Sequence, residues 1–210
     1  MRFLMVTLFL LTGPEFSCGL SPAAATEPLR LRVISYNIHH GEGVDRRLDL
    51  PRIANVLKAE RPDLVALQEV DQRVGRSGNV DQPQELARLT GLQAAFGSNI
   101  ALQGGHYGNA VLSRFPIVKH WNRLLPNVAA GEQRGLLGCE LELPDGAGRL
   151  LFCSTHFDHR RDPAERVRSA EQLPKLRQTM LFSATMPQTI QQLSGFLLKD
   201  PARVEVTPAA

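Results

Sequence analysis

Asn37, Glu69, Asn109 and His156 each stand where an apolar run gives way to polar residues. Around them lie four polar groups: Asn37 with His39 and His40, Glu69, Tyr107-Gly108-Asn109, and Thr155-His156-Phe157-Asp158-His159. Cleavage of a phosphodiester needs a cation to offset phosphate charge, donors for the non-bridging oxygens and a base to activate water. Among these residues Glu69 is the type that holds a hard cation such as Mg²⁺. Asn37 and Asn109 can orient metal, water or phosphate, and His156 can donate to an oxygen that gains charge. Singly, each has a plainer explanation: a solvated carboxylate at a strand end, a structural histidine, a Tyr-Gly-Asn turn. Their joint occurrence is what points to one site.

The elements that must position these residues follow from the apolar pattern. Asp63-Leu64-Val65-Ala66-Leu67-Gln68-Glu69-Val70-Asp71 reads as a short strand whose apolar run stops at Glu69. Leu29 to His39 alternates as an earlier strand that ends in the polar loop Asn37-Ile38-His39-His40-Gly41. Between the two, Asp49 and Pro51 start a helix with Leu50, Ile53, Ala54 and Leu57 on one face, and Arg61-Pro62 stops it. This β-α-β opening brings two strand ends together. Asp81 caps a second helix, with Pro83 and Glu85 in its first turn and Gly91 as its stop.

From Leu92 the pattern changes to short segments separated by Gly, Pro and Asn: 93–99, 107–113, 117–125, 136–143 and 149–155. Such spacing predicts successive antiparallel strands. Asp162-Pro163-Ala164-Glu165 predicts a helix start closed by a capping box. After it come an expected strand over 178–183, a helix over 187–198 and a short strand over 203–206. The composite is an α/β sandwich with polar residues gathered at strand ends.

Composition sets wider bounds. The 210 residues fit one globular domain plus a leader, and the net charge of +3 suits a polyanionic substrate without establishing nucleic-acid binding. Met1 to Ala25 has the layout of an export signal: Arg2, an apolar run from Phe3 to Leu11, and small residues Ala23-Ala24-Ala25. The run is too short to span a bilayer comfortably, so the expectation is a cleaved leader, a periplasmic or secreted protein and no stable membrane anchor. A buried N-terminal strand or helix is the alternative. Cys139 and Cys153 flank the turn Pro144 to Gly148; in a hairpin centred on Gly146 they face one another, as a disulfide staple or as two buried thiols.

Four segments carry a family resemblance: Val33-Ile34-Ser35-Tyr36-Asn37, Asp63 to Val70, Tyr107-Gly108-Asn109-Ala110-Val111-Leu112-Ser113-Arg114-Phe115-Pro116-Ile117, and Ser154 to His159. In that order, over roughly residues 29 to 172, the chain resembles the endonuclease/exonuclease/phosphatase superfamily. The resemblance implies the deoxyribonuclease I-like fold, a four-layered α/β sandwich of metal-dependent phosphoesterases. It implies Glu69 as the ligand of Mg²⁺ (or Mn²⁺) with Asn37 beside it, Asn109 and Tyr107 at the phosphate, His156 at the scissile phosphate and Asp158 behind it. Arg134, in Glu132-Gln133-Arg134-Gly135-Leu136, resembles a supporting arginine.

The resemblance also marks a departure. Family members continue with a strand ending in Gly-Asp-Phe-Asn, whose Asp serves as base, and later with Ser-Asp-His. Neither run occurs in this sequence. Residues 173–210 instead resemble a fragment of a DEAD-box RNA helicase around Ser183-Ala184-Thr185, without the phosphate loop or the Asp-Glu-Ala-Asp run that ATP hydrolysis needs. The organisation expected is thus a leader over 1–25, a truncated phosphoesterase domain over 26–172 forming a partial sandwich, and a helicase-like segment over 173–210. The function expected is impaired metal-dependent hydrolysis of a phosphoester. The alternative is a remnant that binds phosphate or cation without turnover.

Overall fold

A computed structural model describes residues 4–11 (as backbone), 29–128, 131–158, 160, 162–173, 178–183 and 188–198. The order of elements is β1 (Leu4–Leu11), β2 (Val33–Asn37), α1 (Leu50–Glu60), β3 (Leu64–Gln72), α2 (Gln82–Thr90), β4 (Gln93–Leu102), β5 (Gly105–Ser113), β6 (Ile117–Leu124), β7 (Gly135–Glu142), β8 (Arg149–His156), α3 (Ala164–Glu171), β9 (Gln178–Ser183) and α4 (Gln188–Leu197). The strands form two sheets, ordered β6-β7-β8-β1-β9 and β2-β3-β5-β4. The run Leu4–Leu11, assigned from sequence to an export signal, pairs antiparallel with both β8 and β9. The expected strand over 203–206 lies outside the described residues.

Three apolar layers separate four structural ones. Leu64, Ala66 and Val111 of one sheet, with Phe115 just past β5, meet Leu137, Cys139, Leu141, Leu150 and Phe152 of the other. The opposite face of β3 and β5, with Val65, Leu67, Ala110 and Leu112, packs on Ile53, Ala54 and Leu57 of α1 and Leu86 of α2. Beyond the second sheet, Leu136 and Cys153 pack on Ala170 of α3 and on Ile190, Leu193 and Leu197 of α4. Strand β3 is buried on both faces through residue 71, and its first four residues, Leu64 to Leu67, are accordingly all apolar. Each fully buried leucine there stabilises the fold by roughly 1.5–3 kcal/mol relative to exposure. The fold is therefore the expected α/β sandwich, helices outside and two sheets within. No helix among the described residues is long and apolar enough to cross a membrane.

The helix signals are local and appear as read. Asp49 accepts from the Arg52 amide (2.8 Å) and Arg61 closes α1 in left-handed backbone. Asp81 caps α2 and Gly91 ends it. Two expectations change. Strand β2 is shorter than 29–39, because Asn37 Oδ1 accepts from the His39 amide (2.9 Å) and turns the chain into a short 3₁₀ segment. At α3, Asp162 does accept from the Ala164 amide (2.9 Å), but the box does not close: the Glu165 carboxylate takes Arg160 instead.

The facing-cysteine hairpin is a third correction. Cys139 pairs with Phe152 and Gly138 with Cys153, so the two cysteines lie on opposite faces of the sheet. A 3₁₀ turn over Pro144–Gly146 shifts the register by one from a hairpin centred on Gly146. Both thiols are free and buried, in different apolar layers, and burial pushes each up to about 12.

Gly108 on β5 is the tightest joint near the polar strand ends. A Cβ there would sit 1.9 Å from the Gly97 carbonyl oxygen of β4. Backbone cannot yield as a flexible side chain does, so Gly108→Ala is expected to cost at least about 1–3 kcal/mol by overpacking. Urea unfolding reads this as a lower midpoint at unchanged slope. An unchanged midpoint contradicts the close β4–β5 contact.

Candidate active site

Glu69 is not simply the last residue of an apolar strand. The β3–β5 pairing runs from Leu64↔Ser113 to Leu67↔Ala110 and resumes at Val70↔Gly108, a bulge that takes up Gln68 and Glu69. Glu69 sits in left-handed backbone (φ 56°), a conformation that costs a non-glycine residue free energy unless its surroundings impose it. A bulge re-aims a side chain out of the strand's alternation. Here it turns a carboxylate toward the end of β2.

Asn37 receives it. Its Nδ2 donates to Glu69 Oε1 (2.7 Å), while its Oδ1 takes the His39 amide. Asn37 thus fixes Glu69 on one side and the histidine loop on the other. Glu69 is only 5% exposed, and burial pushes its carboxyl above the usual range, with the Asn37 bond acting against that shift.

The second sheet supplies His156, at the end of β8. Its Nδ1 lies 4.0 Å from Glu69 Oε1 and 3.1 Å from Arg134 Nη1. A guanidinium carries donors and no acceptor, so Arg134 donates and His156 Nδ1 accepts. The imidazole proton then belongs on Nε2, which makes that nitrogen a donor. Arg134 is itself 3% exposed and its Nη1 also donates to Glu132 Oε1 (2.6 Å).

Asn109 of β5 ties the two sheets at this end, sharing its acceptor on β7 with Thr155 of neighbouring β8. Asn109 Nδ2 (3.0 Å) and Thr155 Oγ1 (2.9 Å) both donate to the Gly135 carbonyl. Tyr107 lies beneath the Arg76 guanidinium (5.3 Å to the ring centroid). Burial, with the Glu69 charge adding to it, pushes its phenol upward, so it keeps its proton. The structure therefore joins Asn37, Glu69 and His156 directly, with Asn109 and Tyr107 on the adjoining strand. Both carboxylate oxygens of Asp158, two residues past His156, take Arg160 (3.0 Å each).

Two contributors carried no usable signal in the sequence. Gln82 opens α2, a position that usually faces water, yet it is 1% exposed. Its Nε2 donates to the His40 carbonyl (2.6 Å) and its Oε1 takes the Asp71 amide (2.9 Å), pinning the histidine loop to the strand just past Glu69. Asp71, fully buried, holds Arg76 through two bonds (2.8 and 2.9 Å).

The donor set suits a divalent cation. A carboxylate oriented by an amide, with imidazole nitrogens beside it, offers the ligand types such ions take.

A family model described as Endonuclease/Exonuclease/phosphatase family matches residues 34–185. The chain is similar to the uncharacterized protein YbhP of Escherichia coli K12, 33% identical over 134 residues, which are 60% of this chain and 52% of that one. It thus spans about half the length of the curated relatives it matches first. Among solved structures it is similar to an endonuclease/exonuclease/phosphatase from Beutenbergia cavernae, at 30% identity and a TM-score of 0.59, covering 67% of this chain and 42% of that one. A stretch of 62 residues is 45% identical to the ATP-dependent rRNA helicase SPB4 of Cryptococcus neoformans, 30% of this chain and 8% of that one.

Proposed function

Since the chain belongs to the endonuclease/exonuclease/phosphatase family, we propose that it is a divalent-cation-dependent phosphoesterase of low turnover. The observation that carries this reading is the meeting of Glu69, held by Asn37, with His156, held by Arg134, across the ends of two sheets. Glu69 and its neighbours would hold Mg²⁺ or Mn²⁺, which when bound offsets phosphate charge and polarises the phosphorus centre. The rest is done by the chain itself. Arg134 keeps the His156 proton on Nε2, where it can donate to a phosphate oxygen as charge builds there. Asn37 keeps the Glu69 carboxylate turned to the site. Asn109 fixes the spacing of the two sheets, and so the distance between carboxylate and imidazole. The substrate class is a phosphoester, with nucleic acid as one member that the mildly basic charge favours.

Low turnover follows from what the sequence omits. Within the 210 residues neither Gly-Asp-Phe-Asn, whose aspartate serves as base in the family pattern, nor Ser-Asp-His occurs. That omission also favours a second reading, a domain that binds cation and phosphoester without cleaving. Residues 173–210 carry no part in either reading, and the family match itself reaches residue 185.

Hydrolysis of bis-p-nitrophenyl phosphate separates the two readings. The expected result is slow release of nitrophenol that stops on chelation and returns with Mn²⁺ or Mg²⁺. Release unaffected by chelation contradicts the first reading. No release, with phosphodiester still bound in the presence of cation, supports the second.

A further inference from the structure

Beside Glu69 the chain places two imidazoles that the phosphoesterase reading leaves unused. His39 and His40 follow β2 at once, and each can set a ring nitrogen within 4.8 Å of the others' ligand atoms and of a Glu69 oxygen. Their rings are 4.4 Å apart, tilted by 53°. All three residues sit in left-handed backbone, at φ 46°, 45° and 56°. Both sides of the cluster are thus forced into a conformation that the surrounding contacts must impose. Gln82 supplies one such contact, holding the His40 carbonyl and the Asp71 amide together.

Two of the three donors, His39 and Glu69, are also oriented from behind. The Glu42 carbonyl, which can only accept, lies 3.4 Å from His39 Nδ1. That bond places the His39 proton on Nδ1 and leaves Nε2 as the lone-pair nitrogen, the arrangement found behind metal-bound imidazoles. Glu69 Oε1 takes Asn37, which settles the orientation of its carboxylate. The nearby Arg76 cation is paired to buried Asp71.

We propose that His39, His40 and Glu69 form a binding position for a borderline transition-metal ion, Zn²⁺ or Co²⁺, in preference to Mg²⁺. Two imidazoles and one carboxylate make a three-ligand set that leaves a coordination position for water or a phosphate oxygen. Imidazole suits zinc, cobalt and their neighbours, whereas Mg²⁺ favours oxygen ligands alone. The inference rests on Glu69 being a cation ligand, as the proposed function has it, and assigns the ion and two further ligands.

The test is metal binding by the full chain, without reference to turnover. Co²⁺ is followed by its visible d–d absorption and by calorimetry, with Mg²⁺ titrated in parallel. His39→Asn and His40→Asn are the informative variants, because asparagine tolerates left-handed backbone and so preserves the loop. Each is expected to weaken Co²⁺ binding by about tenfold or more while Mg²⁺ affinity stays within about twofold. In the unaltered protein, Co²⁺ should protect the same two imidazoles from diethylpyrocarbonate. Co²⁺ affinity unchanged in both variants, or no protection of either imidazole, overturns the proposal. Absence of phosphodiester turnover with Co²⁺ binding intact leaves this metal position standing and removes only the phosphoesterase reading.

Discussion

Glu69→Gln is expected to lower cation-dependent phosphodiester hydrolysis by about a thousandfold, the rate equivalent of the several kcal/mol that a bound cation contributes to charge stabilisation. Glutamine keeps the volume and still offers an oxygen to Asn37 Nδ2, now 2.7 Å from Glu69 Oε1. What it removes is the negative charge. The bulge and the left-handed backbone at this residue are set by the β3–β5 pairing and are unaffected by the amide. Burial already disfavours charge at this position, so the neutral side chain should leave stability equal or slightly higher. Activity and the urea midpoint, measured together, check both halves. Loss of activity with a falling midpoint would mean damage to the fold and not loss of a ligand.

The second large effect is expected at Arg134, which acts through His156. Arg134→Met keeps most of the buried volume and removes the donor that faces His156 Nδ1 at 3.1 Å. Without it neither tautomer is imposed, and Nδ1 can take a proton of its own. Hydrolysis should fall by about a hundredfold, as when one preorganised donor is lost. A purely structural role would lower activity evenly with pH. The positioning role predicts that imidazole protonation enters the pH–rate profile of Arg134→Met, with partial recovery in Arg134→Lys. A profile parallel to that of the parent protein contradicts it. Glu132 loses its partner as well but is partly exposed and can turn to water.

Some of this could be read in one dimension. The boundaries of α1 and α2 are written by Asp49, Pro51, Arg61, Asp81 and Gly91, each acting within a few residues, and they appear where read. Asn37, Glu69, Asn109 and His156 could be picked out because apolar runs stop at them. The aim of Glu69 could not, since the bulge depends on β5 coming level with β3, and the pairs on either side of it, Leu67↔Ala110 and Val70↔Gly108, join residues 43 and 38 apart. The Arg134–His156 contact spans 22 residues and exists only through the β7–β8 pairing. Gln82 was invisible for a similar reason, its side chain reaching across 42 residues to the His40 carbonyl. The cysteine pairing went wrong on one residue of register, settled by a 3₁₀ turn that the run Pro-Asp-Gly does not announce.

The central claim is that the Glu69 bulge holds a cation beside the place where a phosphoester sits. Paramagnetic broadening of the ³¹P resonance of dimethyl phosphate by Mn²⁺-loaded protein tests this directly, whether or not the chain turns over. The account predicts strong broadening with the unaltered chain, lost in Glu69→Gln and on exchange of Mn²⁺ for Mg²⁺. Broadening of equal size in Glu69→Gln would place the cation elsewhere and contradict it.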